Sequence, residues 1–337
     1  MPNSKDLHWM RRALDLARRG LGHTSPNPCV GALIVRGEQL LGQGWHRAAG
    51  QPHAEVEAVR DARQQGHQIK GSTLYVTLEP CCTHGRTPPC TDLIVREQFK
   101  RVVVGATDPN PAHAGRAYSI LRDAGIRVTA GVLAQDCADL NRAFNHWITT
   151  GQPWVTLKLA LTADGALALP PGRGRWLTSP AARREVHQLR AESDAILVGA
   201  ETLRQDLPRL TVRGIARARQ PLRVILTRSG QLPPNAPVFT DRHRDRTLVI
   251  RRGTIPSILT RLGRQGITSV LVEGGARIAD TFIRANCVHQ LVLFIAPKWA
   301  GPGPLPRATQ LHRLCLTHQT VRMVGPDLRL DARIAPS

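Results

Sequence analysis

Four residues in the first third of the chain have the types and spacing to do chemistry together. His53 and Glu55 are one residue apart, Pro80-Cys81 follows 25 residues after Glu55, and Cys90 comes next. One imidazole and two thiolates can hold a four-coordinate Zn²⁺ and leave its fourth position to water. Zinc lowers the pKa of such a water to about 7, which makes it a nucleophile for a ring carbon that carries an amino group. Glu55 stands beside the histidine without being a ligand itself. It is suited to take the proton from that water and to deliver protons to the ring nitrogen and the departing ammonia. Cys82 and His84 are competing ligands.

The order His-x-Glu, Pro-Cys, Cys is the signature of zinc deaminases, with one departure: eight residues separate Cys81 from Cys90, where the common motif has two. The elements that must position these groups can be read from periodicity. A helix starts near His53 and runs to about Gln65, and Cys81 and His53 both sit near helix N-termini, where partial positive charge favours a thiolate. A first helix spans about Asp6 to Arg19, with Leu7, Met10, Leu14 and Ala17 at helical spacing. Val30–Val35 and Leu40–Gly44 read as a hairpin, and strands at Thr73–Leu78, Val102–Gly105 and Arg127–Thr129 alternate with helices around Thr91–Phe99 and Ala117–Ala124. One last helix, Gln135–Trp147, leads to a boundary at Thr149–Pro153. Beyond it lie buried strands at Trp154–Ala160, Ala195–Val198, Arg223–Thr227, Thr247–Ile250, Val270–Val272 and Gln290–Ile295. The clearest helix there begins at Ser179-Pro180, an N-cap hydroxyl followed by proline. The fold class is α/β in two domains.

The chain has 337 residues, 42% hydrophobic and 21% charged, which excludes intrinsic disorder for most of it. Its longest apolar stretches, such as Leu291–Ala296, are strand-sized, so no membrane association is expected. The N-terminus is charged throughout and lacks the apolar core of a secretory signal, which points to the cytoplasm. The seven cysteines, an odd number with three clustered at Cys81, Cys82 and Cys90, suit a metal site in a reducing compartment, and the isolated Cys137, Cys287 and Cys315 are expected as buried packing. Net charge is +21, of which residues 1–150 carry +5 and 151–337 carry +16. Aromatics are only 4%, poor material for a nucleic-acid platform, so the charge points to anionic small molecules.

LEPCCTHGRTPPC at 78–90, PNPCVGALIV at 26–35 and GQPHAEVEAVR at 50–60 closely resemble the bifunctional deaminase/reductase family of riboflavin biosynthesis. The resemblance continues through residues 176–213, 272–282 and 295–303 and covers almost the whole chain. It implies a cytidine-deaminase-like domain over 1–148, fused to a dihydrofolate-reductase-like domain over 153–337. The implied reactions are hydrolytic deamination of a diaminopyrimidine ribosyl phosphate and NADPH-dependent reduction of its sugar. The long Cys-to-Cys spacing is normal in that family, and the implied zinc ligands are His53, Cys81 and Cys90, with Glu55 as proton shuttle and Asn27 on the pyrimidine. For the second domain the resemblance implies NADPH contacts from Ala160, Trp176, Thr202, Asp206 and the run Gly275, Ala276, Arg277, Ile278, Ala279, Asp280 and Thr281. Substrate contacts would come from Arg190, Leu210, Arg213 and Glu273, with the two arginines clamping the 5′-phosphate. A homo-oligomer is expected. The second half departs from the family pattern at Ala166, Gly174 and Thr227. The rival readings are a deaminase of nucleic acid and a deaminase whose second domain has become structural.

Overall fold

Asn3 starts the first helix by accepting the N–H of Asp6, and α1 (Ser4–Arg18) buries Trp9, Met10, Ala13, Leu14 and Ala17 along one stripe. The computed structural model describes residues 3–83, 88–111, 113–174, 176–215 and 219–335, so His84 lies outside the described residues. The chain divides into two compact units, Met1–Gly151 and Gln152–Ser337.

In the first unit, β1 (Gly31–Arg36) and β2 (Gln39–Trp45) form the expected hairpin. Then come α2 (Ala54–Gln64), β3 (Thr73–Leu78), α3 (Cys90–Arg96), β4 (Arg101–Ala106), α4 (Arg116–Asp123) and β5 (Arg127–Thr129). The sheet order is β2-β1-β3-β4-β5, with β1 antiparallel to β2 and β3, and β3, β4 and β5 parallel. Two glycines let α2 lie directly on the hairpin: a Cβ on Gly42 would come within 2.4 Å of the Ala58 oxygen, and one on Gly44 within 2.4 Å of the Ala58 nitrogen. That contact fixes where the first turn of α2 falls.

The single helix expected over Gln135–Trp147 is two, α5 (Ala134–Leu140) and α6 (Arg142–Thr150). The break is Asn141. Its buried side chain accepts the N–H of Cys29 at 2.7 Å and donates to the Cys29 carbonyl at 2.9 Å, so it is committed to the turn ahead of β1.

The second unit runs β6 (Trp154–Thr162), α7 (Pro180–Glu192), β7 (Ala195–Gly199), α8 (Ala200–Asp206), β8 (Leu222–Leu226), α9 (Pro237–Thr240), β9 (Thr247–Ile250), α10 (Ile255–Arg264), β10 (Ser269–Val272), α11 (Ala276–Arg284), β11 (Gln290–Ala296), β12 (Leu316–Val324) and β13 (Asp327–Ile334). Its sheet order is β12-β13-β11-β6-β10-β7-β8-β9. The six strands from β11 to β9 are parallel, and β13 and β12 are added antiparallel. Ser179 caps α7 through the Ala182 N–H, as its sequence led one to expect. The core gathers Val155, Leu157 and Leu159 of β6 with Leu259 of α10 and Phe282 of α11. The hairpin β12–β13 was not foreseen, because β12 is largely exposed and alternates little. Cys137 and Cys287 are buried as expected, whereas Cys315 is exposed. It precedes β12, the last strand of the sheet, which has a neighbour on one side only.

Candidate active sites

The metal-site residues come from the starts of two helices and the end of one strand. His53 is the N-cap of α2 and Glu55 lies in its first turn, Cys90 opens α3, and Cys81 follows β3. His53 Nδ1 is 3.3 Å from Cys90 Sγ and 3.5 Å from Cys81 Sγ. All three ligand atoms lie within 4.8 Å of one another. Tetrahedral zinc with Zn–N near 2.0 Å and Zn–S near 2.3 Å holds N and S ligands about 3.6 Å apart, so spacing and donor softness both fit Zn²⁺. Cys82 turns elsewhere, with its sulfur 3.5 Å from His113 Nδ1.

The Cys81 thiol is pulled down to about 4, first by its hydrogen bond with Cys90 and then, against burial, by that with His53. The Cys90 N–H, in the first turn of α3, also donates to Cys81 Sγ at 3.3 Å. His53 is raised to about 9, chiefly by its hydrogen bond with Cys81. Burial pushes the Glu55 carboxyl above the usual carboxylate range, and the side chain also bonds Cys90. A carboxyl that holds its proton more readily is better matched to acid/base work near neutral pH. Asn27 is brought to the same place: its Nδ2 donates to His46 Nε2 at 3.1 Å, and the His46 ring stands edge-on to His53 at 5.4 Å. His46 Nδ1 donates to the Pro52 carbonyl, which fixes the tautomer.

Sequence reasoning passed over Glu79. Its buried carboxylate accepts the N–H groups of Asp108, Gly115 and Ala117, tying the loop before α4 to the segment that carries Cys81. Its signal was present, an acid between a strand and Pro80, where a carboxylate needs partners.

In the second unit, Arg190 and Glu273 meet in a buried two-pronged ion pair of 2.5 and 2.9 Å, and Arg190 also donates to the Thr211 carbonyl. Arg213 is exposed, and both its backbone N–H and its Nη2 face the His187 ring. Burial, then Arg190 and Arg213, push His187 down to about 4, so its ring is neutral at pH 7. Leu210 is buried with φ 51° in the same loop. Val212 is held at both N–H and carbonyl by the Gln220 amide.

Gly275 is the N-cap of α11, and a Cβ there would stand 3.6 Å from Thr202 Oγ1 of α8. Ala276 and Arg277 continue the first turn, Ile278 packs on Gly199 and Gly274, and Ala279 is in the core. The Asp280 carboxylate is committed to Thr309 and Gln310, and the Thr281 hydroxyl to the Arg277 carbonyl. What α11 presents at its start is therefore backbone N–H groups. Ala160 lies on β6, Trp176 is 55% exposed under the Arg183 guanidinium, and Asp206 ends α8.

Lys158, one of five lysines, was missed. It interrupts the apolar strand WVTLKLALT, burial lowers its pKa, and Glu273 and Asp206 oppose that effect. Of the departures, Ala166 is buried and pairs with Thr162, and Thr227 accepts the Gly230 N–H. Gly174 has φ 95°.

A His-Cys-Cys cluster beside a buried glutamate, on a sheet of this order, defines a zinc-type deaminase, here followed by a second α/β unit. Family models agree: residues 3–106 match the cytidine and deoxycytidylate deaminase zinc-binding region, and residues 153–330 match the RibD C-terminal domain. The chain is 40% identical to the riboflavin biosynthesis protein RibD of Bacillus amyloliquefaciens, over 96% of this chain and 95% of that one. It is similar in structure to Acinetobacter baumannii RibD (TM-score 0.89, 36% identity, 98% and 99% of the two chains). It is also similar to a diaminohydroxyphosphoribosylaminopyrimidine deaminase/5-amino-6-(5-phosphoribosylamino)uracil reductase of Thermotoga maritima (TM-score 0.90, 35% identity, 98% and 99%). The chain belongs to the RibD family, the bifunctional deaminase/reductases of riboflavin biosynthesis. No helix among the described residues is long and apolar enough to cross a membrane.

Proposed function

We propose that the first unit hydrolytically deaminates 2,5-diamino-6-ribosylamino-4(3H)-pyrimidinone 5′-phosphate, and that the second reduces the resulting 5-amino-6-(5-phosphoribosylamino)uracil to its ribitylamino form with NADPH. The observation that carries this reading is the convergence of His53, Cys81 and Cys90 beside the buried Glu55 carboxyl. Zinc, when bound by these three side chains, supplies the Lewis acidity that makes water nucleophilic near neutral pH. Glu55 takes the proton of the attacking water on a carboxylate oxygen and returns protons to the ring nitrogen and the departing amine. Asn27 holds the pyrimidine, a role supported by its hydrogen bond to His46 beside His53.

In the second unit NADPH, when bound, supplies a hydride. Backbone N–H groups at the start of α11 hold its phosphates, and Thr202, Asp206, Trp176 and Ala160 complete its contacts. Arg213 holds the substrate 5′-phosphate, supported by its exposure and by the neutral His187 behind it. Arg190 serves chiefly to fix Glu273, which with Lys158 bonds the sugar. The enzyme works in the cytoplasm, a reading supported by seven cysteines outside any disulfide among the described residues. It assembles as a homo-oligomer, supported by Val321 and Met323, 58% and 63% exposed on the outermost strand.

Incubation of pure protein with the diaminopyrimidine, with and without NADPH, tests both halves through ammonia release and loss of the reduced-nicotinamide absorbance. Deamination without NADPH oxidation, even when the deaminated intermediate is supplied, would leave the second unit structural. Cys90→Ser is expected to lose zinc and deamination together, while Cys82→Ser keeps both; full zinc occupancy in Cys90→Ser, read by elemental analysis, would remove Cys90 from the ligand set. Arg213→Ala is expected to leave deamination intact while reduction of supplied intermediate falls on the order of 30-fold or more, as loss of a charged partner of a phosphate implies. Unchanged reduction would displace Arg213 from the phosphate.

A further inference from the structure

Residues 207–213 leave α8 without forming a helix or a strand, and their backbone is not one the chain adopts of its own accord. Leu207 and Leu210 have φ of 43° and 51°, the left-handed region, which a leucine occupies only where its surroundings impose it. The peptide groups of such a segment need partners from outside it. From Arg209 onwards side chains supply them. Arg223 on β8, 1% exposed, uses all its N–H groups: on Thr247 Oγ1, on both carboxylate oxygens of Asp241, on the Val238 carbonyl and, at 3.2 Å, on the Arg209 carbonyl. Arg190 donates to the Thr211 carbonyl at 3.2 Å. Leu210 is thus clasped on both sides by guanidinium groups whose own places are fixed by Asp241 and Glu273.

Next to Arg213 the hold is of another kind. The Gln220 Oε1 accepts the Val212 N–H at 2.7 Å, and its Nε2 donates to the Val212 carbonyl at 3.1 Å. A neighbouring strand would offer the same pairing; here one side chain makes it. An amide carries donor and acceptor side by side, whereas a glutamate lacks the donor and an asparagine is one methylene shorter. Gln220 is itself anchored, its carbonyl accepting Arg246 Nε at 2.7 Å, and Pro221 and β8 follow directly. Val212 is buried, while Arg213, one residue on, is exposed with its N–H on the His187 ring. The hold on Val212 therefore decides where the Arg213 side chain starts from.

We propose that Gln220 is a positioning residue for the reduction: by holding Val212 it fixes Arg213 where its guanidinium meets the substrate 5′-phosphate. The inference rests on the reading of Arg213 as the phosphate partner. A long, flexible arginine loses freedom when it binds, and a fixed backbone beneath it lessens what must be ordered at that moment. The effect of Gln220 is therefore on binding of the phosphorylated substrate and not on the hydride step.

The test gives the full chain two substrates, the deaminated intermediate and the same compound without its phosphate. Gln220→Met, similar in length with neither donor nor acceptor, is expected to raise KM for the phosphorylated substrate about fivefold to thirtyfold, the worth of one or two hydrogen bonds. Its kcat, its NADPH affinity by reduced-nicotinamide fluorescence and its reduction of the phosphate-free compound are expected within about twofold of the unaltered chain, as loss of substrate binding alone implies. Gln220→Asn, too short to reach both groups of Val212, is expected to do the same. Adding Gln220→Met to Arg213→Ala is expected to cost nothing further, since the two residues act as one. An unchanged KM, equal losses on the two substrates, or losses that multiply in the double variant overturn the proposal and leave the phosphate reading of Arg213 standing. Arg213→Ala that reduces both substrates as the unaltered chain does overturns that reading and this proposal with it. Amide exchange of the unaltered chain needs no variant: the Val212 N–H is expected to be protected although it lies in no helix or strand, and exchange at the rate of an open chain overturns the hold by Gln220.

Discussion

Glu55→Gln is expected to keep its zinc and to lose deamination by a factor on the order of 10² to 10⁴, the usual cost of removing a positioned acid/base. The amide matches the carboxylate in shape and preserves the contact with Cys90, so the packing of the α2 first turn is retained, but it has no proton to exchange. Because the buried carboxyl already holds its proton more readily than an exposed one, the unaltered enzyme's deamination rate is expected to fall as pH drops and this base becomes protonated. The variant's residual rate should lose that limb of the profile. Reduction of intermediate supplied from outside should run at the normal rate, since that reaction is assigned to the other unit. Ammonia release within a few-fold of the unaltered enzyme, at full zinc occupancy, would remove Glu55 from the proton path.

Glu273→Gln is expected to destabilise the second unit by about 3 to 5 kcal/mol, because it strands a buried guanidinium whose counter-charge has gone. Arg190 and Glu273 are 12% and 10% exposed, and Lys158 is a second cation beside the same carboxylate. Changing both partners, Arg190→Met with Glu273→Met, should cost less than Glu273→Gln alone, since the guanidinium is no longer left without its counter-charge. The same pair sets an acid limit. Against burial, Arg190 holds the Glu273 carboxyl below its ordinary value, so its contribution to stability is complete above the unfolded pKa of about 4.3 and is lost as pH falls further towards the folded value. Denaturant melts of the two variants and of the unaltered chain check this. A Glu273→Gln protein that unfolds at the unaltered midpoint would mean that the pair contributes nothing net.

What could be read beforehand was what the chain states locally. His53, Cys81 and Cys90 were legible because ligand chemistry demands particular residue types, and the start of α2 at His53 followed from periodicity. Strands β3, β5 and β9 were found to the residue, each being a short run with sharp ends. The break at Asn141 was illegible because an asparagine is tolerated within a helix until its side chain is claimed by a distant backbone, here that of Cys29. The Arg190 and Glu273 pairing could not be read across 83 residues. Lys158 and Glu79 carried a signal, a charge set in an apolar strand or at its end, that points to burial without naming the partner. The β12–β13 hairpin, half turned to solvent, had little hydrophobic contrast to announce it.

The bond between Asn141 and Cys29 also orders events in time. A ribosome delivers Cys29 early and Asn141 112 residues later, so the two hydrogen bonds from Asn141 to the backbone at Cys29, next to the turn that carries Asn27, form only then. The sheet strands, complete by Thr129, can therefore assemble before the turn that carries Asn27 is tied down. Domains fold as units as they emerge, and this one closes with its final pair of helices. A nascent chain stalled before Asn141 carries His53, Cys81 and Cys90 without these two bonds.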